Sequence, residues 1–271
     1  YFNKSNPIIS DSEYDRLKIE ILDLEKKYNF PKTINSPSNI VGAKPSKNFI
    51  KLKHRVKMLS LSNAFDKDDL KNFEKKILNY LNFSNKKINI SYSVEPKIDG
   101  ISASLTYKNN RFVTGLSRGD GVEGEVITEN LKTISDIPKF IKSKKFPTDI
   151  DIRGEVYISK KDFEKIKEKF ANPRNAASGS LRQKNPEVTR GIPLKFIAYT
   201  YGYNNGSKFK SQIEFLNYLK DWGFKTNEYN KKISGIDNLY EFHKEFENKR
   251  FTLDFDVDGL VYKVDDINLQ N

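Results

Sequence analysis

The sequence predicts an α+β protein in which mainly antiparallel sheets are flanked by helices, with a small helical piece ahead of them. Three observations carry this. From Ile88 onward, short runs alternate apolar and polar residues, and the turn residues between them suit hairpins rather than helical crossovers. Apolar residues at helical spacing appear on both sides of that region. Between the first helical stretch and the rest, Pro31, Pro37, Gly42 and Pro45 punctuate residues 31–50 in the manner of a linker.

In chain order, Ser10 and Glu13 stand at capping-box spacing, and Leu17, Ile21, Leu24 and Tyr28 then recur on one helical face, which should meet a core. Asp66 is placed to cap a helix running to about Leu81, with Leu70, Phe73, Ile77 and Leu81 inward. Ile88 to Val94 and Ile101 to Tyr107 read as strands, and Asn109-Asn110 as the hairpin turn that follows them. Further strands are expected at 150–158, 194–201 and 255–264. Helices are expected at 127–134, 162–170, around Phe215 to Trp222 (closed by Gly223), and at 239–246.

Composition bounds the function. A chain of 271 residues with 37% hydrophobic and 31% charged residues buries a core and reads as soluble and globular. No apolar run is long enough to span a membrane, and no signal peptide is visible. Cysteine is absent, which excludes disulfides and a Cys-ligated zinc from this segment and fits a cytoplasmic chain. His54 and His243 are the only histidines, too few for a multi-histidine metal site. A net charge of +12 points to a polyanionic partner, although lysine is abundant throughout the chain. The start at Tyr1 without Met suggests a piece of a longer protein.

The centre of interest is Glu95-Pro96-Lys97-Ile98-Asp99-Gly100, between two strands. A lysine becomes a nucleophile when its surroundings favour the free amine and hold a target close. Pro96 lacks a donor, so the strand should fray there or lie at an edge, and Gly100 lets the chain turn. The plain alternative is a surface lysine in a lysine-rich chain. Gly119, Gly121 and Gly124 match the G-x-G-x-x-G dinucleotide pattern, but Asp120 and Glu123 inside that loop would repel a pyrophosphate, and hairpins are not a βαβ unit. Glu155 lies on a strand, where it suits a sugar hydroxyl or a hydrated metal. The stretch 171–183 is rich in small residues and carries Arg174 and Arg182, suited to phosphate. In the last strand Val261 and Lys263 share a face, and Asp258 faces the other way unless Gly259 kinks it.

Together these pieces resemble the covalent nucleotidyltransferases, whose K-x-D-G signature matches "KIDG" at 97–100. "ISDSEYD" (9–15), "SLSNAF" (60–65), "EPKIDG" (95–100), "SRGDGVEGE" (117–125), "RGEVYI" (153–158), "ANPRNAASGSLRQ" (171–183) and "FDVDGLVYKV" (255–264) come in the order of the bacterial NAD-dependent DNA ligases and cover nearly the whole chain. The resemblance implies a nucleotidyltransferase fold over 49–271 behind a helical, N-terminally incomplete subdomain at 1–48 that binds the nicotinamide mononucleotide half. It implies that Lys97 attacks the α-phosphate of NAD to form lysyl-AMP, for later transfer to a 5′-phosphate at a nick in duplex DNA.

Carried over by motif position, the resemblance implies that Glu95 would read the adenine amino group with Ser60 and Leu61 beside it, and that Tyr199 and Val261 would sandwich the base. Glu155 holds the ribose or, with Asp258, an aquated Mg²⁺. Asp99 and Asp258 organise lysine, ribose and metal. Lys263 and Mg²⁺ would stabilise phosphate charge and favour the unprotonated amine of Lys97. Arg118, Arg174, Arg182 and Arg250 contact phosphates of nucleotide or DNA. Tyr1, Asp11, Tyr14 and Asp15 would hold the nicotinamide nucleotide, where the family usually has His or Tyr at the position of Phe2. A further lysine motif, the OB-fold, a Cys₄ zinc finger and the remaining domains would lie past Asn271. The expectation is a monomer that self-adenylates slowly and seals nicks poorly. The competing readings are an ATP-dependent ligase or capping enzyme, which has no use for "ISDSEYD"; a silent basic nucleic-acid-binding module; and, resting on the three glycines alone, a Rossmann dehydrogenase.

Overall fold

The computed structural model describes residues 11–28, 49–82 and 89–270. The chain divides into two compact units, Tyr1–Asn48 and Phe49–Asn271. In the first, helix α1 spans Asp11–Lys27. Its apolar stripe exists, but Leu17, Ile21, Leu24 and Tyr28 are exposed rather than packed on a core. A lone helix cannot bury its own stripe, and α1 is the described element of that unit. The linker expected at 31–50 lies almost wholly outside the described residues.

The second unit begins with β1 (Lys51–Lys53) and α2 (Lys67–Tyr80). Asp66 caps α2 as expected, accepting from the Asp69 amide at 2.8 Å, and Leu70 is its buried residue. Strands β2 (Ser91–Ile98), β3 (Ile101–Lys108), β4 (Arg111–Ser117) and β5 (Glu123–Glu125) follow, then a short helix, α3 (Thr128–Leu131). Next come β6 (Asp149–Tyr157), α4 (Lys160–Phe163), α5 (Pro173–Leu181), α6 (Pro186–Arg190) and β7 (Lys195–Asn204). The chain closes with α7 (Gln212–Asp221), β8 (Lys231–Ser234), α8 (Ile236–Lys249) and β9 (Val257–Val264). The helix expected at 162–170 is broken. Ile166 leaves helical angles at φ −128°, and Phe163, Ile166 and Phe170 reach the core from α4, a bend and a 3₁₀ turn.

Every described strand pairing is antiparallel. The sheets are ordered β1-β5, β8-β2-β9 and β4-β3-β6-β7. Asn109 and Asn110 both take positive φ (47° and 66°), the geometry a two-residue hairpin turn demands between β3 and β4. Each larger sheet puts one face on its own core. Ala103, Leu105, Tyr107, Ile150, Ile152 and Val156 enter the larger core, which α5 and α7 also cover through residues such as Ala176, Ala177 and Phe215. Tyr92, Val94 and Val264 pack with Leu70 of α2 and Leu239 and Phe246 of α8 in the smaller core. The opposite faces are left to polar residues, by the two-residue period of a strand.

The Lys97 stretch is not a hairpin. β2 and β3 belong to different sheets, and the chain crosses between them at Asp99-Gly100. Gly100 is required for close approach rather than for a left-handed turn, because a Cβ there would run into the Val156 carbonyl oxygen and the Glu155 side chain. Pro96 sits in the central strand of its sheet, yet β8 pairs only with Ser91 to Val94. Beyond Val94, β2 has β9 alone beside it, so the proline is locally at an edge.

Candidate active site

The polar face of the β8-β2-β9 sheet is built by register. Ser93, Glu95 and Lys97 alternate along β2, and Ser93 lies opposite Lys263 and Glu95 opposite Val261 on β9. Between Pro96 and Ile98 the register slips, with Leu260 opposite Pro96 and Val257 opposite Ile98, so β9 carries one extra residue there. Gly259 absorbs the bulge at φ +129°. The alternation that would send Asp258 to the far face is thereby broken, and its carboxylate accepts from the Lys97 ammonium.

The polar face of the other sheet carries Ser102, Ser104, Arg153 and Glu155, in paired register across β3 and β6. A second bulge lies in β7. Arg153 is opposite Thr200 and Gly154 opposite Ala198, which leaves Tyr199 as the extra residue. Its carbonyl accepts from the Lys263 ammonium at 3.2 Å and from the Gln212 amide at 2.7 Å. Lys263 also donates to Glu95 Oε2 at 2.9 Å, and its ammonium stands 5.5 Å from the Tyr199 ring centre. Glu95 is buried, and its Oε1 accepts from Ser93 and from Gln212, both at 2.9 Å. Three donors on one buried carboxylate offset its desolvation.

Asp99 accepts from Arg174, near the start of α5, and its amide donates to the Asp256 carbonyl at 2.9 Å. Asn172 caps α5 and Pro173 occupies its first turn, so local sequence fixes where Arg174 emerges. Glu155 accepts from Ser102 at 2.9 Å. Burial pushes its carboxyl up to about 7, against the opposing pull of that hydrogen bond and of the Arg174 and Lys97 charges. Burial also holds the Tyr199 hydroxyl well above its ordinary range.

Segment 54–58 leads into Ser60-Leu61 and is pinned across the polar face of the larger sheet. Arg55 forks onto Asp149 and Asp151, with its guanidinium 4.2 Å from the Tyr203 ring centre. Buried Arg153 donates to the carbonyls of Val56 and Lys57. The amide of Met58 donates to the Gly121 carbonyl at 2.9 Å, which ties this segment to the glycine loop. Asp120 turns that loop's own Val122 and Glu123 amides inward, each at 2.9 Å, so they are not free for a pyrophosphate.

The expected residues do not all converge. Ser60 and Leu61 are exposed. Arg118 is exposed on the glycine loop, its amide donating to the Ser102 carbonyl at 3.2 Å. Arg182 donates to buried Glu125 at 3.0 Å with half its side chain exposed. Arg250 ends α8 with its guanidinium 5.3 Å from the Phe251 ring centre, outside the bonded network around Lys97. Lys263 does lie on the same sheet face as Lys97, with its ammonium on Glu95. The positions of Tyr1 and Phe2 and the side chains of Asp11, Tyr14 and Asp15 lie outside the described residues. Asp258 and Glu155 are the two carboxylates expected to meet an aquated Mg²⁺. Among the described residues no group of three or more His, Cys, Asp or Glu could hold a metal ion, and both carboxylates have protein donors. Ser93 lies two residues before Glu95 on the same strand, a spacing visible in the sequence, whereas Ser102 is tied to Glu155 only through pairing across β3 and β6. Gln212, the residue after a helix cap, gave no such signal.

Mixed helix and antiparallel sheet around this lysine is the architecture of an adenylation-type domain. The chain belongs to the family described as "NAD-dependent DNA ligase adenylation domain", whose model matches residues 46–271. Residues 1–42 match "DNA ligase-like, N-terminal NAD+-binding domain". The chain is 62% identical over 271 residues to a DNA ligase of Pelagibacter ubique (strain HTCC1062). It is 44% identical to one of Parvibaculum lavamentivorans and 43% identical to one of Rickettsia massiliae. These alignments take in 100% of this chain but only 39–40% of each relative. No helix among the described residues is long and apolar enough to cross a membrane.

Proposed function

We propose that this chain is the AMP-accepting part of an NAD-dependent DNA ligase and that Lys97 is the residue adenylated. The observation that carries the reading is the Lys97–Asp258 pair, beside Glu95 and Lys263 where the two sheets meet. An amine attacks only after losing its proton, and the carboxylate touching Lys97 is Asp258, which is in position to orient the ammonium and take that proton. The Lys97 nitrogen then bonds to the α-phosphorus of NAD. The phosphoanhydride bond to the nicotinamide mononucleotide breaks, and the mononucleotide leaves with its phosphate.

In this reading Glu95 accepts from the adenine amino group, Tyr199 and Val261 flank the base, and Ser60-Leu61 borders it. Glu155 meets the ribose. Lys263 and Arg174, held now on Glu95 and Asp99, are the nearest cations for phosphate charge, with Arg118 on the neighbouring loop. Residues 1–48 are taken as the subdomain for the nicotinamide half, through Tyr1, Asp11, Tyr14 and Asp15, and residues 49–271 as the nucleotidyltransferase domain. The eventual partner is nicked duplex DNA, with Arg182 and Arg250 as further phosphate contacts. Glu155 and Asp258 would hold a hydrated Mg²⁺ through water, and that ion would supply positive charge at the phosphate.

Incubating the chain with adenine-labelled NAD or with labelled ATP tests this. Covalent label from NAD, none from ATP and none on Lys97→Ala is expected, together with little sealing of nicked DNA by this chain alone. Label from ATP only would overturn the reading.

A further inference from the structure

We infer that Gln212 is a positioning residue that sets base specificity. It acts by holding Glu95 and the Tyr199 carbonyl when Lys263 leaves them. The inference rests on the reading above, in which adenine lies at Glu95.

Gln212 is 1% exposed, at the start of α7. Its backbone amide donates to the Asp265 carbonyl at 2.7 Å, and the Asp265 carboxylate accepts from the next amide, that of Ile213, at 3.0 Å. The helix start is therefore fastened to the end of β9. Its side-chain amide donates to two acceptors from two sheets: Glu95 Oε1 on β2 and the Tyr199 carbonyl in the β7 bulge. Lys263 serves the same two groups, through Glu95 Oε2 and the same carbonyl. One buried carboxylate and one bulge carbonyl thus share two donors, an ammonium and a neutral amide.

The two donors are not equivalent. The Lys263 ammonium sits on a flexible four-carbon stem, and a substrate phosphate competes for it. When it goes, Oε2 is vacated and the Tyr199 carbonyl loses one donor. Gln212 is neutral, so phosphate has little hold on it, and its backbone is fixed by Asp265. With Ser93 it keeps Oε1 satisfied, which holds the carboxylate in place and leaves Oε2 as a bare acceptor. A bare acceptor bonds an amino N–H, as on C6 of adenine, and repels a carbonyl, as on C6 of hypoxanthine. Without the amide, Glu95 would retain Lys263 or turn, and the base edge would be read poorly.

The test compares NAD with its hypoxanthine analogue as donors for covalent labelling of the 271-residue chain. The wild type is expected to prefer NAD strongly in the second-order rate constant of labelling. Gln212→Leu is expected to lower that preference at least tenfold, mainly by raising the NAD concentration that half-saturates the labelling rate while the hypoxanthine analogue changes little. Gln212→Met, unbranched and close in volume, serves if the leucine variant does not fold. A preference unchanged in a folded variant, with both donors weakened equally, would overturn the inference and leave Gln212 a structural residue. A wild type that takes no label from NAD would instead refute the reading on which the inference rests.

Discussion

Lys97 and Asp258 stand 161 residues apart in sequence and form an ion pair because β9 carries one extra residue opposite β2. Strict alternation would put Asp258 on the other face of its sheet. Gly259, at φ +129°, takes up the bulge, and a Cβ added there would meet nothing within 4 Å. Space is therefore not the reason for glycine. The backbone conformation is.

Gly259→Ala should strain the bulge by about 1–3 kcal/mol, since L residues rarely adopt that φ. The strand can relieve the strain by returning to regular pairing, which withdraws Asp258 from Lys97. Covalent labelling from NAD is expected to fall at least tenfold, close to the loss in Asp258→Asn, with a lowered thermal midpoint. Full labelling and unchanged stability in Gly259→Ala would show that the bulge does not hold Asp258.

What could be read in the sequence follows from how local each signal is. Asp66 as a cap, Asn109-Asn110 as a turn and Gly223 after α7 each depend on a few neighbouring residues, and each is where local rules put it. Both bulges escaped, because a register slip depends on two strands distant in sequence, and so did the tie between Gln212 and Tyr199. The short strands β1, β5 and β8 have almost no hydrophobic pattern of their own, since their residues are largely exposed or polar and they are strands only because partners pair with them. Arg182 could be identified as an arginine among small residues, but nothing nearby revealed that buried Glu125, 57 positions earlier, would take its Nε.

Glu95 and Lys263 form a pair with Glu95 almost fully buried, so removing either partner has a cost beyond the lost contact. Lys263→Met leaves a buried carboxylate with only neutral donors, and should destabilise the fold by roughly 3–5 kcal/mol. Lys263→Met with Glu95→Gln removes both charges and should recover most of that loss while remaining unable to take label. Urea unfolding of the two single variants and the double variant checks this. Losses that simply add would mean the two groups are not coupled.

Arg153 donates its two terminal nitrogens to the Val56 and Lys57 carbonyls, which fixes the segment entering Ser60-Leu61 from beneath. Arg153→Met fills the same volume and removes those donors, leaving two carbonyls short of partners, at about 1–3 kcal/mol each if they stay dry. The thermal midpoint should drop. If Ser60-Leu61 borders the base, the NAD concentration that half-saturates labelling should rise by more than the maximal labelling rate falls. A lower midpoint with that half-saturating concentration unchanged would make Arg153 purely structural.

Glu155 supplies a pH dependence with a definite sign. Its carboxyl is raised from an ordinary 4.5 to about 7, so the folded state holds the proton more tightly than the unfolded chain. The stability this contributes is complete below pH 4.5 and is lost as pH rises through 7, by roughly 3 kcal/mol for a shift of this size. Glu155→Gln keeps the shape and cannot ionise. The difference in unfolding free energy between wild type and Glu155→Gln should therefore move in the variant's favour from pH 4.5 to 8, and level off above that. Ser102 donates to this carboxylate, so Ser102→Ala should raise the midpoint of that change further, by withdrawing a bond that favours the charged form. A difference that stays flat across the range would mean that Glu155 is already ionised in the folded protein, with Lys97 and Arg174 outweighing its burial.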